Sequence, residues 1–262
     1  MLERRLLPED IGAAAPLPPA RCAGAVDRRP LRTMWLDEVQ IDRRRGPMDR
    51  RDFLRTAALA TAAGAVPGLL TSGRAFATPT IGAPAPEFSA PSTDGGTVSL
   101  AGLRGKIVVL EWTNHDCPFV RKHYNGDNMQ ALQREAAAQG VVWLTMASSP
   151  PGEQGHVDPP QANALTRSRN AAPAAVLLDH DGRIARAYQA KVTPHMYVID
   201  RDGMLRYMGA IDDKPSASSE SLKTAQNYVR PAVTAVLAGR AADPAVTRAY
   251  GCTIKLAAPR PA

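Results

Sequence analysis

The chain has 262 residues, a formal net charge of +7 and three cysteines, a length that allows one domain of ordinary size with additional segments. Residues 78–262 carry 19 Lys and Arg against 16 Asp and Glu without a cluster of like charge, and we therefore expect no nucleic-acid partner. Three cysteines are too few for a small domain held together by several disulfides, and Cys22 lies in a segment that we expect to be absent from the mature protein.

Residues 1–47 show neither helical nor strand periodicity. Five prolines interrupt every candidate element of this segment, namely Pro8, Pro16, Pro18, Pro19 and Pro30. The segment is therefore predicted to be disordered. An alternative interpretation is that translation starts at Met48 and that the upstream residues are an artefact of gene calling, and the nature of the segment after Met48 favours it.

Residues 48–77 resemble a twin-arginine export signal. Arg50 and Arg51 are followed by Asp, Phe, Leu and a further basic residue, then by a weakly apolar run, and Ala75-Phe76-Ala77 closes the segment. A charged start, an apolar centre and an A-x-A site are the three parts of a secretory signal. We therefore expect cleavage after Ala77, a partner in the twin-arginine export machinery and a periplasmic mature protein that crosses the membrane folded. The apolar run is shorter than the roughly 20 residues of a bilayer span, which disfavours an uncleaved anchor.

Residues 78–262 form the predicted folded domain, in which strands and helices alternate. Strands are predicted at residues 107–113, 141–147, 175–179 and 204–209, together with a short strand or cap at 97–100 and a turn into a strand at 192–200. Helices are predicted at residues 161–171, 184–188 and 221–239, the last restarted or kinked by Pro231. Residues 118–124 and 129–140 are also helical, and the Asn125-Gly126-Asp127 interruption between them indicates either one kinked helix or two abutting helices. The strand at 107–113 is nearly continuous in Val, Ile and Leu, as is typical of a strand buried on both faces of a mostly parallel sheet. This order predicts an α/β fold, a three-layer sandwich with a central mixed sheet flanked by helices.

Cys117 is the strongest candidate for a functional group. A buried strand ends, a short polar turn follows, and Cys117 stands directly before Pro118, which favours the first position of a helix. Unpaired N–H groups and the helix dipole at such a position stabilise negative charge, and Arg121 and Lys122 add positive charge one turn further on. We therefore expect a nucleophilic thiolate that attacks the O–O bond of a peroxide or a sulfur of a disulfide.

Three features together resemble the thioredoxin-like superfamily. They are the strand, turn and helix around Cys117-Pro118, the Val192-Thr193-Pro194 segment before a strand, and the Asp202-Gly203 hairpin signal. The fold expected from this resemblance is a thioredoxin-like three-layer sandwich. The resemblance also implies that Pro194 is cis and lies against the reactive cysteine, and that Thr193 offers its backbone to an extended substrate. Pro118 and Arg121 complete the expected substrate-binding residues.

The opening residues 81–88 resemble the start of redoxin domains of the alkyl hydroperoxide reductase/thiol-specific antioxidant type. Residues 114–120, together with Gly251-Cys252-Thr253-Ile254-Lys255, are most similar to a peroxiredoxin-like branch that keeps one cysteine of the usual pair. The resemblance implies an exported thiol oxidoreductase with peroxidase-like chemistry. It also implies a thiol electron donor, such as a thioredoxin-like protein, as the partner, with neither cofactor nor metal.

The sequence departs from these families at two places. Val120 stands where thioredoxin has its second cysteine, so a dithiol mechanism cannot use the local motif alone. Typical peroxiredoxins place a threonine three residues before the cysteine to hold the peroxide, whereas this chain has Asn114 there and Thr113 one residue earlier. Asn114 and Thr113 are therefore the candidates for that role. Cys252 is the internal candidate for resolving oxidised Cys117, and the alternatives are a plain tail cysteine or half of a structural disulfide.

Other functions fit the residues less well. A redoxin-fold binding, scaffold or redox-sensing protein without turnover would need only an inert or sensory cysteine. His115 could favour the Cys117 thiolate when protonated, but a Cys–His hydrolase lacks an orienting residue, and a zinc site from His115, Cys117 and His123 lacks the usual spacing. A role in the maturation of periplasmic metal centres is disfavoured because the chain has no C-x-x-C motif.

Overall fold

The computed structural model describes residues 78–258, so the predictions for residues 1–77, including Cys22 and the Ala77 cleavage site, lie outside the described part. The strands are β1 Ser89–Pro91, β2 Thr97–Ser99, β3 Val108–Trp112, β4 Val142–Ala147, β5 Ala175–Leu178, β6 Val192–Thr193, β7 His195–Ile199, β8 Leu205–Gly209 and β9 Cys252–Thr253. The α-helices are α1 Pro118–Asn125, α2 Asn128–Ala138, α3 Pro159–Ser168, α4 Arg183–Ala187 and α5 Val229–Leu237. Among the described helices, none is long and apolar enough to cross a membrane.

The central sheet has five strands in the order β5-β4-β3-β7-β8. Strand β3 runs parallel to β4, and β4 to β5, whereas β3 with β7 and β7 with β8 are antiparallel. Each face of the sheet is covered by its own apolar core. One core includes side chains of α1, α2 and α5, and the other includes side chains of α4 and of β1. The predicted three-layer α/β sandwich with a mixed sheet is therefore confirmed.

Strand β3 lies at the middle of this sheet and leads to the candidate nucleophile. All five of its residues are buried, in agreement with its continuous apolar sequence. The same strand carries a charged residue, Glu111, which is also fully buried. Because β3 is paired on both sides, the turn that follows it starts from a fixed position at the carboxyl edge of the strand.

The helical region after this turn is divided into α1 and α2, as the Asn-Gly-Asp interruption predicts. Asp127 has a φ of 54°, a left-handed conformation that ends the first helix before α2 begins. Helix α1 is therefore a short element of eight residues, and its N-terminus is set by the turn after β3.

The prediction of a helix over residues 221–239 is wrong in its first half. Ser219–Thr224 form a 3₁₀ helix, and α5 begins only at Val229. The residues between pair their backbone with the segment after β8, because Asp213 N–H donates to Gln226 O at 3.2 Å and Tyr228 N–H donates to Ile211 O at 3.0 Å. This tertiary pairing prevails over the helical spacing of the apolar residues. Pro231 lies in the first turn of α5, where a missing N–H leaves no helical bond unmade.

Candidate active site

Cys117 is the N-cap residue of α1. Its φ and ψ of −69° and 121° are extended, Pro118 occupies the first helical position, and Arg121 N–H donates to Cys117 O at 2.9 Å. The turn before it is closed by the Cys117 N–H, which donates to Asn114 O at 3.1 Å. The side chain therefore lies at a helix N-terminus, as the sequence predicts.

The Thr193–Pro194 peptide bond is cis and lies against this sulfur. The Cys117 thiol donates a hydrogen bond to Thr193 O, with Sγ and O separated by 3.1 Å. Cys117 is fully buried, and Thr193 is 2% exposed. The predicted cis conformation of Pro194 and its proximity to the cysteine are confirmed.

Cys252 meets Cys117 from the far end of the chain. Strand β9 pairs with β6 in an antiparallel register that places Cys252 opposite Thr193, the residue that accepts the Cys117 hydrogen bond. Burial raises the pKa of the Cys252 thiol to about 12, with smaller contributions from its hydrogen bond and charge interaction with the Cys117 sulfur. Both cysteines are free thiols, and Cys252 is half-buried. The structure thus brings together two sulfurs that are 135 residues apart in the sequence.

Gly251 permits this close approach. It has a φ of 135°, and a Cβ atom at this position would lie 1.9 Å from Thr193 O and 3.4 Å from Pro194 N. Real Cβ atoms do not approach a backbone oxygen that closely, and the conformation itself suits only glycine. The residue before Cys252 therefore has to be glycine for β9 to lie on the cis peptide.

A buried polar cluster holds the residue before this glycine. The Tyr250 hydroxyl donates to Asp212 and accepts a hydrogen bond from Lys122 Nζ at 3.0 Å, and His123 Nε2 lies 3.4 Å away. Lys122 Nζ lies 3.1 Å from Asp212 Oδ2, and both side chains are buried. The Tyr250 ring packs against Phe119 in an edge-on arrangement, with centroids 5.7 Å apart. These contacts attach the tail to α1, the helix that Cys117 opens.

Two matches to protein families cover parts of the chain. Residues 81–208 match the AhpC/TSA family, and residues 47–67 match the signal sequence of the twin-arginine translocation pathway. The chain carries a redoxin domain of the thioredoxin-like superfamily. Its export signal is confirmed, and with it the assignment of the redoxin to the exported proteins. The peroxiredoxin-like branch with a single cysteine, to which the motif around Cys117 is most similar, stays a prediction.

Solved structures share the fold of this redoxin. A hypothetical protein from Sinorhizobium meliloti 1021 is 24% identical, with a TM-score of 0.58 over 70% of this chain and 97% of that protein. An uncharacterized conserved protein from Geobacillus kaustophilus is 26% identical, with a TM-score of 0.57 over 70% of this chain and 94% of that protein. No curated protein matches the chain significantly. The redoxin family and the export signal together make the protein an exported thiol oxidoreductase in the broad sense.

The two residues predicted to hold a peroxide, Thr113 and Asn114, lie close to Cys117 in the sequence but line a cavity that Cys117 does not border. Asn114 Oδ1 accepts a hydrogen bond from Asp116 N–H at 2.9 Å, and its Nδ2 faces Gln154 O at 3.5 Å. Thr113 and Asn114 line a small cavity of about 40 Å³, which Cys117 does not border. The Thr113 hydroxyl is buried without a hydrogen-bond partner among the described residues. Their role as peroxide ligands therefore stays a prediction.

The residues around Cys117 divide into exposed and buried ones. Pro118 and Arg121 are exposed beside the helix start, and the charge of Arg121 lowers the pKa of Cys252, against the larger effect of burial. Lys122, expected to act on the nucleophile, is instead paired with Asp212. Burial lowers the pKa of His115, with Arg169 and Arg121 acting in the same direction and Asp116 against it. His115 is therefore neutral at pH 7 and supplies no positive charge.

Glu111, a buried residue of β3, forms a second polar centre in the interior of the domain. Its carboxylate accepts hydrogen bonds from four side chains, Tyr124 at 2.8 Å, Trp143 at 2.9 Å, Gln133 at 3.2 Å and Thr145 at 3.2 Å. Burial nevertheless raises its pKa, against the effect of these hydrogen bonds. No metal-binding cluster of three or more His, Cys, Asp or Glu side chains occurs within residues 78–258.

Sequence reasoning missed the residues that hold the tail of the redoxin in place. Tyr250, Lys122 and Asp212 converge from three separate segments, and no local pattern connects them. Gly251 offered a signal, because a glycine directly before a candidate cysteine indicates a close backbone approach. The buried Glu111 was likewise readable as an acidic residue inside an otherwise apolar strand.

Proposed function

We propose that the protein is a thiol peroxidase in which Cys117 is the nucleophile and Cys252 the resolving cysteine. The observation that carries this proposal is the register of β9 on β6, which sets Cys252 opposite Thr193, the residue whose carbonyl oxygen accepts the Cys117 hydrogen bond. A thiol that resolves a sulfenic acid has to reach the oxidised sulfur directly. The pairing of β6 with β9 supplies that proximity without any other cysteine among the described residues.

The proposed reaction has two steps. The Cys117 thiolate attacks the terminal oxygen of a peroxide, the O–O bond breaks, and the sulfur becomes a sulfenic acid while the alkoxide or hydroxide leaves and takes up a proton. The Cys252 sulfur then attacks the Cys117 sulfur, an S–S bond forms, and the sulfenic oxygen leaves as water with the proton of the Cys252 thiol. The two electrons that reduce the peroxide come from the two thiols.

The electrostatics of the pair support this division of roles. Burial, and to a smaller extent the Cys117 sulfur, raise the pKa of Cys252 to about 12. Cys252 is thus a thiol at neutral pH, and its proton has to leave as its sulfur attacks the sulfenic acid. Cys117 lies instead at the N-terminus of α1, where backbone N–H groups favour negative charge. The helix start therefore selects Cys117 as the sulfur that reacts first.

Return to the dithiol state requires two electrons from outside the chain. A thiol donor of the thioredoxin-like type in the periplasm would attack the disulfide at Cys252, because Cys252 is half-buried whereas Cys117 is fully buried. The donor would form a mixed disulfide with Cys252, release the Cys117 thiolate, and then close its own disulfide. No organic cofactor takes part in this cycle.

Mass spectrometry of the mature protein after one equivalent of hydrogen peroxide tests the proposal. The expected product is a Cys117–Cys252 disulfide, formed with the loss of two hydrogens. The Cys252→Ser variant should instead accumulate a sulfenic acid at Cys117 that dimedone traps, and Cys117→Ser should give neither product. An unchanged wild-type mass under conditions in which free cysteine is oxidised would rule the proposal out.

A redox sensor without turnover is the second candidate function. The observation that favours it is that the Cys117 thiol is completely buried and hydrogen-bonded to Thr193 O, which satisfies the protonated form. Repeated peroxide additions in the presence of a dithiol reductant distinguish the two. A peroxidase consumes many equivalents of peroxide per protein, whereas a sensor stops after one.

A further inference from the structure

We propose that the segment Tyr250–Ile254, called here the tail strand, determines which oxidants reach Cys117. The tail strand occupies the backbone edge that an extended peptide would need, so it admits small peroxides and excludes disulfides within polypeptides. Tyr250 is the positioning residue that keeps the strand in place. This inference rests on the proposed nucleophilic role of Cys117 and adds the substrate class.

The first step of the argument is the occupied edge of β6. Val192 pairs with Thr253 and Thr193 with Cys252, and the Ile254 N–H donates to Lys191 O at 3.0 Å. An incoming extended peptide can bind such an edge only through the same backbone groups. Because the tail strand already uses them, a polypeptide disulfide cannot be presented to Cys117 in this arrangement.

The second step is the depth at which the tail strand lies. Gly251 is so close to the cis peptide that a Cβ atom would lie 1.9 Å from Thr193 O, the oxygen that also accepts the Cys117 hydrogen bond. Cys117 has no exposed surface, whereas Cys252 on the tail strand is half-buried. The strand therefore covers Cys117 closely enough to exclude a polypeptide substrate.

The third step is the attachment at Tyr250. Its hydroxyl is hydrogen-bonded to Asp212 and Lys122, whose side chains are buried, and its ring lies 5.7 Å from that of Phe119. The segment before Tyr250, residues 246–249, is bordered by two surface clefts. A cleft of about 640 Å³ is bordered by Asp212 and Thr247–Gly251, and a second of about 430 Å³ is bordered by Val246–Ala249. The segment is thus attached at Tyr250 and along β9 rather than along its whole length.

The two oxidant classes differ in the atom that the thiolate attacks, in the product at Cys117 and in the leaving group. With a polypeptide disulfide the Cys117 thiolate attacks one sulfur, a mixed disulfide forms, and the other cysteine leaves as a thiolate that takes up a proton. This step needs an approach along the S–S axis from a bulky substrate. Displacement of the tail strand would open that approach and would change the peroxide reaction much less.

Competing oxidants on one background measure this selectivity. In the Cys252→Ser background every first step at Cys117 is trapped, as a sulfenic acid with hydrogen peroxide or as a mixed disulfide with a polypeptide probe. The probe is the disulfide-linked dimer of a peptide with the sequence of residues 248–256, which carries one cysteine. Rates are measured by mass spectrometry, and the reported quantity is the ratio of the disulfide rate to the peroxide rate.

Two variants that loosen the tail strand should raise the ratio of the disulfide rate to the peroxide rate. Gly251→Ala pushes the tail strand off Thr193, and Tyr250→Phe removes the hydroxyl from the buried cluster while it keeps the ring. Each variant weakens the attachment of the tail strand, since a buried hydrogen bond to a charged group is lost or a clash is created, and we expect the ratio to rise by roughly 10-fold or more. Hydrogen exchange of residues 250–255 should increase in the same variants, since an open tail strand leaves its backbone amides unprotected.

Matched controls separate opening from general damage. Gly239 also has a positive φ, of 68°, but a Cβ there would meet no atom within 4 Å, so Gly239→Ala reports backbone strain alone. Tyr228 makes no side-chain hydrogen bond with the described residues, so Tyr228→Phe is the control for Tyr250→Phe. If the rate ratio in both Gly251→Ala and Tyr250→Phe lies within about 2-fold of that in the controls, the proposed role of the tail strand is wrong. If Cys117 reacts with neither oxidant in any variant, the proposed function itself fails, which is a different outcome.

Discussion

Lys122 Nζ lies 3.1 Å from the carboxylate of Asp212, and neither side chain has appreciable contact with solvent. Lys122 also donates to Lys214 O at 2.8 Å and to the Tyr250 hydroxyl at 3.0 Å. Burial lowers the pKa of Lys122, and the negative charge of Asp212 opposes that shift. A paired charge of this kind is tolerated in the interior only while all its partners are present.

Removal of one partner from this pair should therefore destabilise the protein strongly. We expect Lys122→Met to reduce the free energy of unfolding by about 3–5 kcal/mol, because Asp212 is left buried without its cation. The double variant Lys122→Met/Asp212→Asn should cost less than the sum of the two single changes. Urea unfolding followed by circular dichroism measures all three.

The exposed pair of Arg230 and Glu135 is the control for this measurement. Arg230 Nε lies 2.7 Å from Glu135 Oε2, but both side chains are nearly half exposed. Arg230→Met should cost less than about 1 kcal/mol. An equal loss for the buried and the exposed pair would contradict the interpretation of the buried cluster.

The loop after β4 offers a second matched comparison between two glycines. Gly155 and Gly152 have positive φ angles of 88° and 85°, but only at Gly155 would a Cβ meet another group, 2.4 Å from Asn114 Cγ. Gly152→Ala should therefore cost only the strain of the left-handed backbone, roughly 1–2 kcal/mol. Gly155→Ala should cost clearly more and should also disturb the turn before Cys117. Comparable midpoints of thermal unfolding for the two variants would be evidence against a packed Asn114.

Glu111 should make the protein less stable as the pH rises. Burial raises its pKa above the ordinary value of 4.5, so between that value and the higher folded-state pKa the folded protein binds a proton that the unfolded chain has lost. Stability therefore falls as the pH rises through this window. Glu111→Gln keeps one acceptor oxygen for Trp143 and Thr145 and removes the titration. As the pH is raised from 4.5 towards neutral, we expect the free energy of unfolding of the variant to rise relative to that of the wild type. Urea unfolding at each pH measures this difference.

His195 should act in the opposite direction. Burial lowers its pKa from 6.5 to about 4, with a smaller contribution from Lys191, so below pH 6.5 the unfolded chain binds a proton that the folded protein does not. Stability is therefore lost as the pH falls from 6.5 towards 4. His195→Gln should flatten this part of the pH profile while it leaves the slope near neutral pH unchanged. If the free energy of unfolding of the variant changes with pH between 6.5 and 4 as steeply as that of the wild type, the folded protein does not keep His195 neutral in this range.

The parts of the site that are local in sequence were predictable. The strand before Cys117, the polar turn and the proline at the first helical position are consecutive, so their geometry follows from short-range preferences. The cis conformation of Pro194 was reached through resemblance and is present in the structure. The break in the helical region at Asp127 was predictable from the sequence itself, because three turn-forming residues follow each other there.

The parts that depend on contacts between distant segments were not predictable. Strand β9 has only two residues and is defined by its pairing with β6 rather than by its own sequence pattern. The start of α5 is set by backbone hydrogen bonds of residues 226–228 to the segment after β8, which apolar spacing does not report. Lys122 was interpreted as a free charge near the sulfur, because a sequence does not show which carboxylate a lysine will meet inside the fold.

The distance between the two sulfurs along the chain has a consequence for biogenesis. Cys252 follows Cys117 by 135 residues, so a ribosome has made Cys117 long before it makes the strand that covers it. The twin-arginine route carries proteins that have already folded, which means that shielding is completed on the cytoplasmic side. A protein exported by this route leaves the cytoplasm with Cys117 already covered by β9.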